Sequence, residues 1–470
     1  MSESAAEQHI KNANGRLLPE SPLIYPCGTV AAGELHAMSE ADPSGYAEPS
    51  SLLNQLHSIL ESDPLLDEVG FVHPSQFAAI SDSSISMEPP DSDDSMMSKA
   101  SEVVPTDMAF WSRDHKLGIS TNIMHPLYSA AKHAFMSTLK QYKTLIGLHA
   151  KKVALDTDNV SGALSSLSNL ESELMKQSRA LLLLSCDFGT AWNCRKEVVS
   201  KKQNIMLYFD ELKLSTLVLS YSPKSERAWT HRRWVIKMIA GKHTNLQEVL
   251  KNESELAKRI AEKSKMNYRA WNHRCWLVSY MPESQIIDEL INDRDWAGLH
   301  VADNSCFHYR TRLMTRTLED SWCKQDLKDS PLHTAEVYQL WKEELSWSEI
   351  LIKRYIGREA LWLYRRFLSI CWIKHFAAHM GGTNVDLFLD NEMLLFRSCT
   401  TIPDNVFEDY VSQAIYAATY IMWLIKQMDE LQGVEIQEKM GEEIEEVLNK
   451  VCPNKAFLWD IVRMKSGRKI

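Results

Sequence analysis

The chain has 470 residues, 44% of them hydrophobic, with a formal net charge of −10 and a pI near 5.9. That length holds more than one ordinary domain or one extended solenoid, and the acidic balance offers no nucleic-acid footprint, because phosphate binding needs a basic face. Nine cysteines, odd in number and scattered without a CxxC pair, argue against a zinc ribbon or a redox dithiol and fit reduced thiols in the cytosol.

The opening MSESAAEQHI lacks an apolar core, so no secretory leader is expected. Ser at position 2 and the absence of Cys near the terminal GRKI predict neither a myristoyl group nor a CaaX box. Residues 1–50 are rich in Ser, Ala, Glu, Gly and Pro without periodicity and read as disordered. Residues 51–170 read as an N-terminal helical region. Within it SLLNQLHSIL, Ser51 to Leu60, has helical apolar spacing that Pro64 should end. The Ser/Asp/Pro stretch 81–105 reads as a disordered loop, with a phosphorylation segment as the sharper alternative. Helical patterns resume near Phe110 and run to about Ala150, and strand-like alternation is absent throughout, which predicts an all-α protein.

Residues 171–375 are repetitive. AWNCRKEVV, AWTHRRWVI, AWNHRCWLV, CFHYRTRLM and LWLYRRFLS are five copies of one pattern, with an aromatic residue three positions before an arginine. The pairs are Trp192 and Arg195, Trp229 and Arg232, Trp271 and Arg274, Phe307 and Arg310, and Trp362 and Arg365. Successive arginines are separated by 37, 42, 36 and 55 residues. A second apolar run precedes most copies, so each repeat reads as a helix, a short turn and a second helix opened by the motif. Residues 376–430 read as a C-terminal helical cap. The stretch 431–470 reads as an acidic then basic tail, with Glu442 to Glu446 on a solvated helix face. Ala414 to Ile425, the longest apolar stretch, is too short to span a bilayer, and a soluble, cytoplasmic chain is the expectation.

With the aromatic at position i, the arginine at i+3 falls about 60° to one side of it, between i and the apolar residue at i+6. The guanidinium therefore lies inside the apolar stripe. There it is tolerable only with its donors used, by the free carbonyls at the end of a neighbouring helix or by a carboxylate. A structural lock between hairpins is the expected role of all five arginines. His231, His273 and His308 recur at the same repeat position or beside it, in different hairpins, so a convergent metal site is not expected. No GxxxxGK[ST], HExxH or GxSxG motif is present.

The pattern, above all RAWTHRRW and YRAWNHRCW, resembles the repeat of the protein prenyltransferase α-subunit family. The resemblance covers Ala191 to Ser369, well under half the chain. DPLLDEVGFV, RDWAGLH with VADNSCFHYR, and QAIYAATYIMWL resemble the family as well. It implies a right-handed superhelical crescent of antiparallel helical hairpins, an α–α solenoid, wrapped around a separate catalytic β subunit. It implies a heterodimer that attaches an isoprenoid from its diphosphate to the cysteine of a substrate protein. No cofactor is then bound by this chain, and zinc belongs to the β subunit. The resemblance points to a partner like the β subunit of Rab geranylgeranyltransferase, and to geranylgeranyl diphosphate as donor. The alternative is a tetratricopeptide-like scaffold without enzymatic activity, although such repeats lack the Trp-x-x-Arg.

Farnesyltransferase-type members carry Lys-Asn-Tyr before the third motif, and the lysine reaches the diphosphate. Here the order is Lys265-Met266-Asn267-Tyr268. The resemblance implies a diphosphate contact for Tyr268, while Met266 occupies the lysine position and Lys265 stands one residue away. In the next repeat it singles out Asn304, because acidic Asp303 would repel a diphosphate. Both Asp303 and Asn304 also suit helix capping.

Overall fold

The computed structural model describes residues 48–77, 108–153, 160–241, 245–325, 331–377, 382–401, 408–428, 430–451 and 453. The expected disordered segment before residue 48, the 81–105 loop and the basic end of the tail lie outside the described residues.

Helix α1, Pro49–Ser62, starts on a proline and buries Leu52, Leu53, Leu56 and Leu60. It stops before Pro64, as its spacing predicts. A three-stranded sheet follows, which corrects the all-helical reading of residues 51–170. Strand β1, Glu68–Val72, pairs in parallel with β3, Lys116–Ser120, and β2, Phe110–Arg113, pairs antiparallel with β3. Asp114 and His115 join β2 to β3 with φ of 49° and 61°. Two positive φ angles in a two-residue loop make the type I′ turn that matches strand twist. The sheet rests on the repeats. Val69 N–H donates to Ser220 Oγ at 3.0 Å, and Phe71 meets Tyr221 edge-on.

After the sheet come α2, Met124–Val153, and then the hairpins. The first pairs α3, Val160–Leu184, with α4, Gly189–Lys202. The second pairs α5, Ile205–Tyr221, with α6, Glu226–Ala240, and the third α7, Leu246–Lys263, with α8, Tyr268–Leu277. In the fourth the leading helix is split at Asp293 into α9, Glu283–Asn292, and α10, Arg294–Leu299, before α11, Asn304–Gln325. The fifth pairs α12, Pro331–Arg354, with α13, Glu359–Trp372. Helices α14, Gly382–Thr400, and α15, Glu408–Ile425, form a further pair without the motif, and α16, Glu430–Val451, packs Met440, Ile444 and Leu448 inward. The protein is an α-helical solenoid. From residue 171 to 375 no strand occurs among the described residues.

The second, third and fourth motif helices open on a capping side chain. Ser225 Oγ accepts from the Ala228 N–H and Asn267 Oδ1 from the Ala270 N–H, while Asp303 Oδ1 accepts from Ser305 and Cys306. These caps satisfy donors that the first helical turn leaves free. Leu52, Ile119 and Phe135 share a core with Leu181, Val218 and Trp229, so the N-terminal elements continue the repeats. The apolar run in α15 is packed, with Ala414, Ala417, Ala418 and Ile421 buried. Among the described residues no helix is long and apolar enough to cross a membrane.

Candidate functional site

The five motif arginines form a buried ladder. Arg195, Arg232, Arg274, Arg310 and Arg365 are all nearly inaccessible. Arg195 grips Glu211 with Nε and Nη2 at 2.9 and 2.6 Å, and Arg232 grips Glu253 with both contacts at 2.6 Å. Arg310 takes Glu344 and Arg365 takes Glu392 in the same way. Each glutamate sits on the leading helix of the following hairpin. The remaining Nη1 reaches back to a main-chain carbonyl of the arginine's own leading helix, on Met175, Leu212, Leu290 and Leu345 in turn. Serine hydroxyls on Ser178, Ser215 and Ser348 add a further acceptor. The carboxylate acceptors match the expectation. The carbonyls correct it, because most lie inside helices rather than at their ends and accept through a second lone pair.

The third rung departs from this plan. Arg274 donates Nε to Ser254 and Nη2 to Glu289. Its Nη2 also stands 2.5 Å from Asp293 Oδ2, an ion pair out of line for a hydrogen bond. Asp293 is the residue at which α9 gives way to α10, and Lys258 pairs with its other oxygen at 3.1 Å.

Every rung has one more member, which in the first four is the residue before the next motif arginine. His231 bonds Glu211 at 2.8 Å and His273 bonds Glu253 at 3.3 Å. The hydroxyls of Tyr309 and Tyr364 donate to Glu289 and Glu344, and Tyr420 of α15 donates to Glu392. The first four glutamates thus each tie two motif helices together, and Glu392 ties the last motif helix to α15. Burial alone would raise the Glu211 and Glu253 carboxyls, but Arg195 and Arg232, with the histidines, outweigh it and hold both near 2. Burial lowers His231 and His273, against the pull of their glutamates. Both imidazoles are therefore neutral donors through Nε2. His308 is exposed on α11. Among the described residues no group of three or more His, Cys, Asp or Glu is placed to hold a metal. The described cysteines are free thiols, and burial pushes Cys194 to about 11 and Cys275 to about 12.

The motif aromatics pin the turns. The indole N–H of Trp192 donates to Cys186 O, that of Trp229 to Pro223 O, that of Trp271 to Asp303 Oδ2 and that of Trp362 to Gln413 Oε1. Phe307 is buried without such a donor. Asn267 Nδ2 also donates to Pro223 O, so the turns of successive hairpins are joined along one edge.

The residues singled out for diphosphate contact lie on that edge. Tyr268 and Asn304 are the first residues of α8 and α11, three positions before Trp271 and Phe307, and both are exposed. They hold the same register position in neighbouring repeats. Lys265 is exposed in the turn before α8, off the helix. Among the described contacts no hydrogen bond links the three. Asp303, not Asn304, is the cap.

The edge is not uniform. In the first hairpin the register position is Gly189, and the guanidinium of Arg227 lies where its Cβ would be. In the second it is Glu226, paired with Arg269. In each case an arginine from the next motif helix reaches back. Over Tyr268 the matching residue is Ser305, too short to do so. Tyr268 is 59% exposed, and the guanidinium of its neighbour Arg269 lies 5.3 Å from the centre of its ring. Met266 beside it is 79% exposed and holds a φ of 56°.

Residues 208–239 and 250–281 match the sequence model of the protein prenyltransferase alpha subunit repeat. The chain carries protein prenyltransferase α-subunit repeats. Each matched prenyltransferase repeat spans most of one hairpin, from its leading-helix glutamate to its motif arginine: Glu211 to Arg232, and Glu253 to Arg274. The chain is 30% identical over 264 residues to protein prenyltransferase alpha subunit repeat-containing protein 1 of Danio rerio, covering 47% of this chain and 62% of that protein. It is 32% identical over 244 residues to the Homo sapiens protein of that name, covering 43% and 60%. A Xenopus laevis relative, protein 1-B, is 30% identical over 234 residues, covering 41% and 54%. The chain thus matches little more than half the length of these relatives.

Proposed function

We propose that this chain is the α subunit of a protein geranylgeranyltransferase. It assembles with a separate β subunit, like that of Rab geranylgeranyltransferase, which supplies the zinc and the isoprenoid pocket. Together they attach geranylgeranyl as a thioether to a cysteine of a substrate protein. The observation that carries this reading is the open stretch of edge at the third and fourth motif helices. The ladder consumes the motif arginines in structural work. What it leaves exposed is Tyr268, to which the repeat resemblance assigns a diphosphate contact, with Asn304 in register beside it and Lys265 in the adjoining turn, one residue from the family's lysine position at Met266. A phenol at Tyr268 suits donation to a leaving-group oxygen as charge builds there.

Met266, in place of a lysine, favours the second reading, a scaffold without transferase activity. One experiment separates the two. The chain is co-expressed with a Rab geranylgeranyltransferase β subunit, purified as a complex, and assayed for transfer of labelled geranylgeranyl diphosphate to a cysteine-bearing protein. Stable co-purification with turnover is expected. A monodisperse chain that binds no prenyltransferase β subunit, or a complex without turnover, overturns the enzyme reading.

A further inference from the structure

With the motif aromatic at i, the buried side chains lie at i, i+2, i+3, i+6 and i+7 in every motif helix. At about 100° per residue, positions i+1, i+4, i+5 and i+8 form the opposite face, open except at Cys275, the buried i+4 residue of α8. In a chain of net charge −10 that face is basic. It carries Lys196, Arg233, Lys237, Arg312 and Arg366, against one carboxylate, Glu197, which Lys201 already pairs at 2.9 Å.

Three of these cations, Lys196, Arg233 and Arg366, share position i+4 and are partly withdrawn from water. Burial lowers the pKa of each. Arg233 has an ion pair with Glu226 at 3.0 Å, but among the described residues Lys196 and Arg366 have no carboxylate within ion-pair distance. Arg366 Nε is buried with no hydrogen-bond partner there. Half-buried aromatics lie between the charges: Trp234, with Lys196 Nζ 5.9 Å from its ring, then Trp276 and Phe367. A desolvated cation without a counter-charge costs free energy that an incoming carboxylate recovers. Trp beside Arg is also the composition of protein-binding hot spots.

We propose that the open face of the motif helices docks an acidic protein partner, whose carboxylates meet the i+4, i+5 and i+8 cations and whose apolar groups cover Trp234 and Trp276. Carboxylates spaced at roughly the 10 Å separation of packed helices fit it best. Trp234 and Trp276 favour a protein surface, which brings apolar groups together with its carboxylates, over the phosphate backbone of DNA or the headgroups of a charged bilayer. This goes beyond the prenyltransferase reading, and it holds whether or not any complex transfers an isoprenoid.

The test uses the full chain and fluorescent poly-L-glutamate at low salt. Lys237→Glu with Arg312→Glu removes two exposed cations that have no ion pair among the described residues, and an unchanged melting curve verifies the fold. The double variant should weaken binding at least roughly tenfold. Lys213→Glu with Lys251→Glu, on the leading helices, should leave binding unchanged. Wild-type chain that ignores poly-glutamate, or a Lys237/Arg312 variant that binds as wild type, overturns the proposal. So does tighter binding of duplex DNA or of phosphatidylserine vesicles, lost on the same reversal. Transfer activity is not read, so failure here is distinct from failure of the enzyme reading.

Discussion

The first two rungs of the ladder and the last three share one guanidinium–carboxylate pair and differ in the side chain that completes it. Glu211 and Glu253 are completed by histidines, and Glu289, Glu344 and Glu392 by tyrosines. The same boundary appears on the edge, where arginines from the next helix engage Gly189 and Glu226 but the matching residue over Tyr268 is Ser305. The pair is therefore the invariant part of the fold, and the surroundings are free to vary. Imidazole titrates near neutrality, whereas burial first, and the neighbouring carboxylates with it, keep the tyrosine hydroxyls protonated.

The largest expected effect tests the shared part. Arg232→Ala and Arg310→Ala should each cost about 3–5 kcal/mol, since each strands a buried glutamate. Urea unfolding measures this, and similar losses in the two regions would establish the pair as common. If neither variant shifts the midpoint, the arginines do not hold the stack.

The edge comes next. In the reconstituted complex Tyr268→Phe should assemble and bind the isoprenoid diphosphate normally but transfer it roughly tenfold more slowly or worse. Ser305→Arg should extend the strap across Tyr268 and slow transfer too, while Met266→Lys should raise the rate modestly. Unchanged rates in all three would leave assembly and substrate choice as the only roles of this edge.

The third test is pH. His231 and His273 have folded pKa values below the ordinary value of about 6.5. The unfolded chain therefore takes up protons first, and stability present above that pH is lost as pH falls through it. Glu211 and Glu253, near 2 when folded, add stability that is present above the unfolded carboxyl range and lost as pH falls towards 2. Replacing both histidines by tyrosine should flatten urea midpoints between pH 7 and 5 and leave the steeper acid limb. A double variant with the wild-type slope would mean that the two regions do not differ in this way.

The smallest effect concerns two turns. Met266 and Gly357 both stand five residues before their motif tryptophans, and both have positive φ, 56° and 73°. Met266→Gly should stabilise by about 0.5–1 kcal/mol, because only glycine adopts that conformation without cost. Gly357→Ala should destabilise by about 1–3 kcal/mol, since its Cβ would also stand 2.9 Å from Asp409 O. Thermal melts distinguish the signs.

The helical repeats were legible because the Trp-x-x-Arg recurs with an apolar stripe, and the burial of all five arginines follows from their place in it. Their glutamate partners were not read, although a signal existed. Glu211 and His231, Glu253 and His273, Glu289 and Tyr309, and Glu344 and Tyr364 are each 20 residues apart. Fixed spacing within variable repeats marks one hairpin. The sheet was illegible for two reasons. Its turn is Asp-His rather than the usual Asn-Gly, and β1 finds its partner across a long intervening segment rather than in a local alternation. Of the proposed contact residues, motif register alone aligns Tyr268 with Asn304, but their exposure depends on how far the arginines of neighbouring helices reach. Capping by Asp303 instead of Asn304 turned on one residue, which composition does not resolve.

The 20-residue interval also orders events during synthesis. When a leading helix emerges, its glutamate can close on the arginine already made behind it, but its last bond waits for the next motif helix. A growing chain therefore always has one unfinished rung, at its newest end, and never two. The five motif hairpins alone would end on an Arg365 without its glutamate, which α14 supplies as Glu392. Tyr420, on a helix without the motif, brings the series to a close. A nascent chain stalled ahead of α15 would keep an open rung that a quality-control protease could read, and one released after Tyr420 would not.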